Sequence, residues 1–112
     1  MKVNVASQRD DAIRMFIAQA EKDLANGYRV IVGGDFNEPS HRDWIEKNKN
    51  LYDHNGFVVP WTVTTLLEEA GFIDSYRKIY PNPLTHPGFT YPSDNLAKTP
   101  EKITWAPKAD ER

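Results

Sequence analysis

Cysteine is absent from the 112 residues, so disulfides and thiolate metal sites are excluded and no redox compartment is marked. Long apolar runs are absent too. Met1-Lys2-Val3-Asn4-Val5 is too short for a signal peptide or a membrane span, and charge returns by Arg9. The charge balance is small, with a formal net of -2, which argues against a broad electrostatic grip on nucleic acid. Basic residues are not interleaved with Trp44, Trp61 and Trp105 as a single-strand stacking surface would require, so these tryptophans are expected in packing. No Gly-Lys-Ser/Thr follows Gly33-Gly34, which excludes a phosphate loop of the nucleotide-binding kind. His41, His54 and His86 include no pair at metal-ligand spacing, which argues against zinc.

What is present suits one small globular domain, with 39% hydrophobic and 12% aromatic residues and eight prolines that imply much loop. A chain of this size buries about 60 to 70% of its unfolded surface. Ser7 as N-cap, Asp10 three residues later, and Ile13, Phe16, Ile17, Ala20 and Leu24 at helical spacing predict a helix up to Asn26-Gly27. Lys2 to Val5 reads as the tail of a strand and Arg29 to Val32 as a second strand, an α/β start. A short helix and a loop are expected between His41 and Asn55. Pro60-Trp61 opens a further helix that Gly71 stops. Phe89-Thr90-Tyr91 and Ile103-Thr104-Trp105 read as short strands. No internal repeat or low-complexity tract occurs.

The richest stretch is Tyr28-Arg-Val-Ile-Val-Gly-Gly-Asp-Phe-Asn-Glu-Pro-Ser40. Val30, Ile31 and Val32 predict a short buried strand, Gly33 and Gly34 permit a close or unusual backbone approach, and Pro39 closes the segment. Asp35 and Asn37 stand at i and i+2. On an extended backbone that spacing points both to one face and turns Phe36 into apolar packing. A carboxylate beside a carboxamide suits water activation and phosphate contact, since an ionised Asp cannot donate a hydrogen bond to a phosphoryl oxygen and an Asn amide can. The same two residue types also serve as plain turn formers after a strand, bonding to nearby backbone.

Taken in order, Gly34-Asp35-Phe36-Asn37, Asp74-Ser75-Tyr76-Arg77 and Gly88-Phe89-Thr90-Tyr91-Pro92 resemble the endonuclease/exonuclease/phosphatase (DNase I-like) family of metal-dependent phosphohydrolases, over nearly the whole chain. The resemblance implies an α/β (α+β) two-sheet sandwich flanked by helices, of which residues 1–112 would be a partial domain, truncated at both ends. It further implies that Asp35 aligns or deprotonates the attacking water and that Asn37 donates to a phosphoryl oxygen. Both are candidate ligands of a second metal, with Mg²⁺ or Mn²⁺ as the cofactor. Arg77, Phe89 and Thr90 would contact substrate, and Asp74 would support the framework. The substrate class is a phosphoester: nucleic acid, phospholipid or inositol phosphate. The family's upstream Asn and Glu metal ligands, its Arg-Ile-Asp strand and its Ser-Asp-His motif do not occur here. The isolated chain is therefore expected to be inactive and to self-associate through unpaired sheet edges. The alternative is a non-catalytic binding or structural module that retains the family fold.

Several of these residues carry a second reading. Asp74 also fits an N-cap for a helical turn from Ser75 to Ile79, and Arg77 fits a structural ion pair, with Asp74 as one partner. Phe89 and Tyr91 also suit core or rim packing. His41 is expected as an exposed helix-start residue that could contact substrate, His54 as a turn residue, and Glu68-Glu69 as a solvated helix face.

Overall fold

The computed structural model describes residues 8–52, 54–91 and 110–111. Helix α1 spans Gln8–Ala25, with Asp10 and Asp11 in its first turn and Lys22 in its last, each sign matching the helix dipole at its own end. Gly27, at φ +85°, ends it as a left-handed residue. After a 3₁₀ turn at Glu46–Asn48, α2 spans Thr62–Glu69 and α3 spans Ser75–Ile79. Gly71, at φ +95°, terminates α2, and its N–H reaches the Glu68 carbonyl at 2.9 Å. The strand β1, Phe89–Tyr91, pairs antiparallel with β2, Asp110–Glu111.

The core lies between α1 and α2, where Ile13 meets Val63 and Leu67 and the partly buried Phe16, Ile17, Leu66 and Phe72 pack around them. The Phe16 and Phe72 rings lie 5.8 Å apart. Each such apolar side chain contributes about 1.5 to 3 kcal/mol when fully buried. Val32 and Phe36 join the same cluster, which ties the motif segment to the helix pair. A second packed region forms around Trp44, whose ring stacks on His54 at 4.0 Å and meets Trp61 edge-on at 5.5 Å, with Val59 buried nearby. Its polar hinge is the buried Asn48, which donates to the Asp43 carbonyl at 2.7 Å and accepts the Ile45 N–H at 3.1 Å.

This architecture overturns the expected two-sheet α/β sandwich. The described residues are mainly helical, and their β structure is limited to the short β1–β2 pairing. The segment Arg29 to Val32, expected as a buried strand, has no regular structure, and Ile31 is 94% exposed. The physical reason is the lack of a neighbour. A strand exists only through a hydrogen-bonded ladder, and among the described residues no backbone supplies one to this segment. The helices at 8–25 and 62–69 and the strand at 89–91 match the periodicity. The proposed strands at Lys2 to Val5 and Ile103 to Trp105, and the Ser7 cap, lie outside the described residues.

Candidate functional site

The loop from Gly33 to Arg42 connects the motif segment to the second packed region, and its anchors are specific. Phe36 is drawn into the α1–α2 core while Asp35 and Asn37 on either side of it are exposed. Exposure thus alternates across these three residues, but the backbone at Asn37 is not the extended one from which a shared face was expected. Asn37 adopts φ +55°, a left-handed conformation that Asn tolerates better than most residues. Its N–H donates to Asp35 Oδ1 at 2.8 Å. Asp35 therefore closes an Asx-type turn with one carboxylate oxygen. Gly33 and Gly34 both avoid positive φ, and a side-chain carbon at either would meet nothing within 4 Å, so the ground beside Asp35 is open.

Three residues after Phe36 fasten this loop to α2. Glu38 Oε1 accepts the Val63 N–H at 2.6 Å and so satisfies a free donor in the first turn of α2, a role the N-cap Trp61 side chain does not fill. Burial raises the Glu38 carboxyl above the ordinary glutamate value, the Val63 N–H opposes that shift, and Asp10 adds to it. His41 reaches Thr64 Oγ1 through Nδ1 at 2.8 Å and Glu68 Oε2 through Nε2 at 2.6 Å, while its backbone N–H also donates to Thr64 Oγ1 at 2.9 Å. Arg42 forks onto both Glu68 oxygens, with Nε at 2.9 Å and a terminal nitrogen at 2.5 Å. That bidentate hydrogen bonding lowers the Glu68 carboxyl and raises the Arg42 guanidinium. Glu68, expected on a solvated face, is thus the acceptor that holds the loop, and His41 is half-buried rather than a free helix-start residue.

The Asp74 tetrad is framework in this structure. Asp74 Oδ1 accepts the Arg77 N–H at 2.9 Å and caps α3. Arg77 is 2% exposed and donates through Nε to Asp43 Oδ1 at 2.7 Å, with further donation to the Tyr80, His86 and Pro87 carbonyls. Its ion-pair partner is Asp43, not Asp74, and its guanidinium faces protein on every bond named. Phe89 and Thr90 are exposed, and Phe89 meets the Tyr52 ring edge-on at 4.8 Å. His86 stacks on Tyr80 at 4.4 Å.

Sequence reasoning missed Glu38, Asp43 and Glu68 as organisers. No spacing rule connects 43 with 77 or 38 with 63. The donor set for a cation is small: among the described residues no three His, Asp or Glu side chains converge to hold a metal. Asp35 has one exposed carboxylate, with Oδ1 already accepting one hydrogen bond. An all-protein cage does not form there among the described residues, and a Mg²⁺ or Mn²⁺ ion beside Asp35 would need most of its oxygen ligands from elsewhere.

Comparison with known proteins leaves the family unassigned. No family model matches the chain, and no solved structure matches it. A segment of 66 residues, 59% of the chain, is 44% identical to the uncharacterized protein F14F9.5 of Caenorhabditis elegans, and that match spans 20% of the relative's length. No helix among the described residues is long and apolar enough to cross a membrane.

Proposed function

We propose that the Asp35–Asn37 turn is the water- and phosphate-handling part of a metal-dependent phosphoester hydrolase site of the endonuclease/exonuclease/phosphatase kind. The observation that carries this reading is the presentation of both side chains to solvent on either side of an anchored Phe36, beside open ground at Gly33-Gly34. Asp35 would orient or deprotonate the attacking water with its carboxylate. Asn37, held at fixed pitch by its own left-handed backbone, would donate its amide to a phosphoryl oxygen. A bound Mg²⁺ or Mn²⁺, held by Asp35 with the substrate phosphate and with Asn37 as a further oxygen donor, would neutralise charge on the phosphoryl group. Glu38, His41 and Arg42 act as positioning residues, because they fix the loop on α2. Phe89 and Thr90 remain candidate substrate contacts. The substrate is a phosphoester, and nucleic acid, phospholipid and inositol phosphate all suit this chemistry. The isolated chain, with one candidate carboxylate and no converging metal-ligand cluster among its described residues, is expected to turn over negligibly. Self-association is a separate property of the same chain.

The second reading is a non-catalytic binding or structural module, favoured by one observation: Asp35 Oδ1 is engaged by the Asn37 N–H as in a plain turn. Calorimetric titration with Mg²⁺ and a dialkyl phosphate separates the two. Binding that is lost in Asp35→Ala supports the hydrolase site. Heats that are absent, or unchanged by the substitution, favour the module.

A further inference from the structure

Asn-Gly occurs twice in the chain, at Asn26-Gly27 and at Asn55-Gly56, and both pairs are exposed. In such a pair the side-chain amide is open to attack by the next backbone nitrogen, because glycine places no Cβ beside that nitrogen and restricts its approach least. The sequence does not rank the two. The structure does, through what holds each glycine N–H, since the nitrogen must leave its hydrogen bond and lose its proton before it attacks.

At Asn55-Gly56 the fold holds the nitrogen. Gly56 N–H donates to the Lys49 carbonyl at 2.7 Å, and the residues on either side are pinned: the buried His54 stacks on Trp44, its N–H donates to the Leu51 carbonyl at 3.2 Å, and its carbonyl accepts the Phe57 N–H at 2.9 Å. Freeing Gly56 therefore requires opening the packed region around Trp44. At Asn26-Gly27 the nitrogen sits just past the end of α1. Gly27 N–H donates to the Leu24 carbonyl at 3.0 Å, a short-range bond where helices fray. Leu24 and Tyr28 are exposed, and a side-chain carbon on Gly27 would meet nothing within 4 Å. The core contacts of α1 lie further back, at Ile13, Phe16 and Ile17, so its last turn can open by itself.

We propose that Asn26-Gly27 is a site of spontaneous deamidation and isoaspartate formation in the folded protein, and that Asn55-Gly56 is protected until the fold opens. The deprotonated Gly27 nitrogen bonds to Asn26 Cγ, the C–N bond of the side-chain amide breaks, and ammonia leaves with the proton, closing a cyclic succinimide. Water then adds to one ring carbonyl and the ring C–N bond beside it breaks. Opening on one side gives an aspartyl residue and on the other an isoaspartyl residue, with no oxidant or reductant involved. Both products put a carboxylate at the C-terminal end of α1, where the helix dipole opposes it. The isoaspartyl product also adds a backbone carbon ahead of the motif segment, which displaces the Tyr28 N–H from the Asp23 carbonyl it meets at 3.0 Å. Its free α-carboxylate is the group that a carboxyl-methylating repair enzyme esterifies, and that is the class of partner implied. None of this depends on phosphoester chemistry at Asp35.

The full chain is aged in mildly alkaline buffer, folded and in parallel in urea, then cleaved after lysine and arginine at mildly acidic pH. The peptides Asp23–Arg29 and Asn50–Arg77 carry one pair each and are followed by mass spectrometry. In the folded chain the amide-to-acid conversion is expected at Asn26 at least about tenfold faster than at Asn55, and in urea at nearly equal rates. The aged chain is expected to accept methyl groups from S-adenosylmethionine through an isoaspartyl methyltransferase, and aged Asn26→Gln to accept almost none. Equal rates in the folded chain, faster conversion at Asn55, protection of both sites until urea is added, the same bias in urea, or methylation that persists in Asn26→Gln would each overturn the proposal.

Discussion

Asp43 and Arg77, 34 positions apart in sequence, form an ion pair whose side chains are each 1% exposed, with nitrogen–oxygen separations of 2.5 and 2.7 Å. Around it, Arg77 also gathers the carbonyls of Tyr80, His86 and Pro87. One buried guanidinium therefore ties the segment that follows the motif loop, α3 and the turn before β1 into a single framework.

Removing one member of that pair leaves the other charge enclosed. Asp43→Ala and Arg77→Ala are each expected to destabilise the fold by about 3 to 5 kcal/mol, and an apolar double replacement by much less than their sum. Urea unfolding of the single and double variants measures this coupling. Independent, additive losses would show that the pair does not act as a unit.

The Glu68 clamp predicts a dependence on acid. Arg42, and then His41, lower the Glu68 carboxyl, so its folded value lies below the ordinary 4.5. The stability it contributes is full above that ordinary value and is lost as pH falls through the folded one. Because the cluster is substantially exposed, the loss is about 0.2 to 1 kcal/mol. Thermal melts between pH 6 and roughly 3 should lose this component of their slope in Glu68→Gln, and a slope identical to wild type would remove Glu68 from the account.

Glu38 should behave in the opposite sense. Burial raises its carboxyl above 4.5, so its favourable contribution is complete below that value and fades as pH rises through the folded value. Glu38→Gln keeps an oxygen for the Val63 N–H without the buried charge and is expected to be at least as stable as wild type at neutral pH. Glu38→Ala leaves that N–H unmet and should cost about 0.5 to 2 kcal/mol, the range for a lost helix-end acceptor. Chemical denaturation at pH 7 compares the two. Equal loss in both variants would contradict the contact.

Asn37 allows turn geometry and chemistry to be separated. At φ +55°, Asn37→Gly is expected to leave stability nearly unchanged, whereas Asn37→Ala should lose about 1 kcal/mol to left-handed strain. Both remove the amide. If Asn37→Gly keeps wild-type affinity for a dialkyl phosphate, the amide has no part in phosphate contact.

The helices were readable because their signals are local: apolar spacing from Ile13 to Ala20, Pro60 before α2, Gly71 after it, and Asp74 three residues before the N–H it caps. Phe36 was readable as an anchor for the same reason. The expectation failed where structure depends on partners. Val30-Ile31-Val32 has strand composition, but composition cannot supply a ladder, and the segment remains unpaired among the described residues. The exposure of Asp35 and Asn37 around a packed Phe36 was legible, and the contacts that hold their loop were not. Glu38, Asp43 and Glu68 work through contacts across 25 to 34 positions, which no periodicity encodes. His54, a turn residue by its Asn55-Gly56 neighbours, proved also to be a packed partner of Trp44.

The central claim is that the Asp35–Asn37 turn is chemically competent and not only a turn. Amide resonances of the ¹⁵N-labelled chain, titrated with Mn²⁺ in the presence of dimethyl phosphate, test it at single-residue resolution. Paramagnetic broadening centred on Gly34 to Asn37 and abolished by Asp35→Ala is the expected result. Broadening that is uniform over the acidic surface, or that persists in Asp35→Ala, would contradict the claim and leave the loop a structural turn.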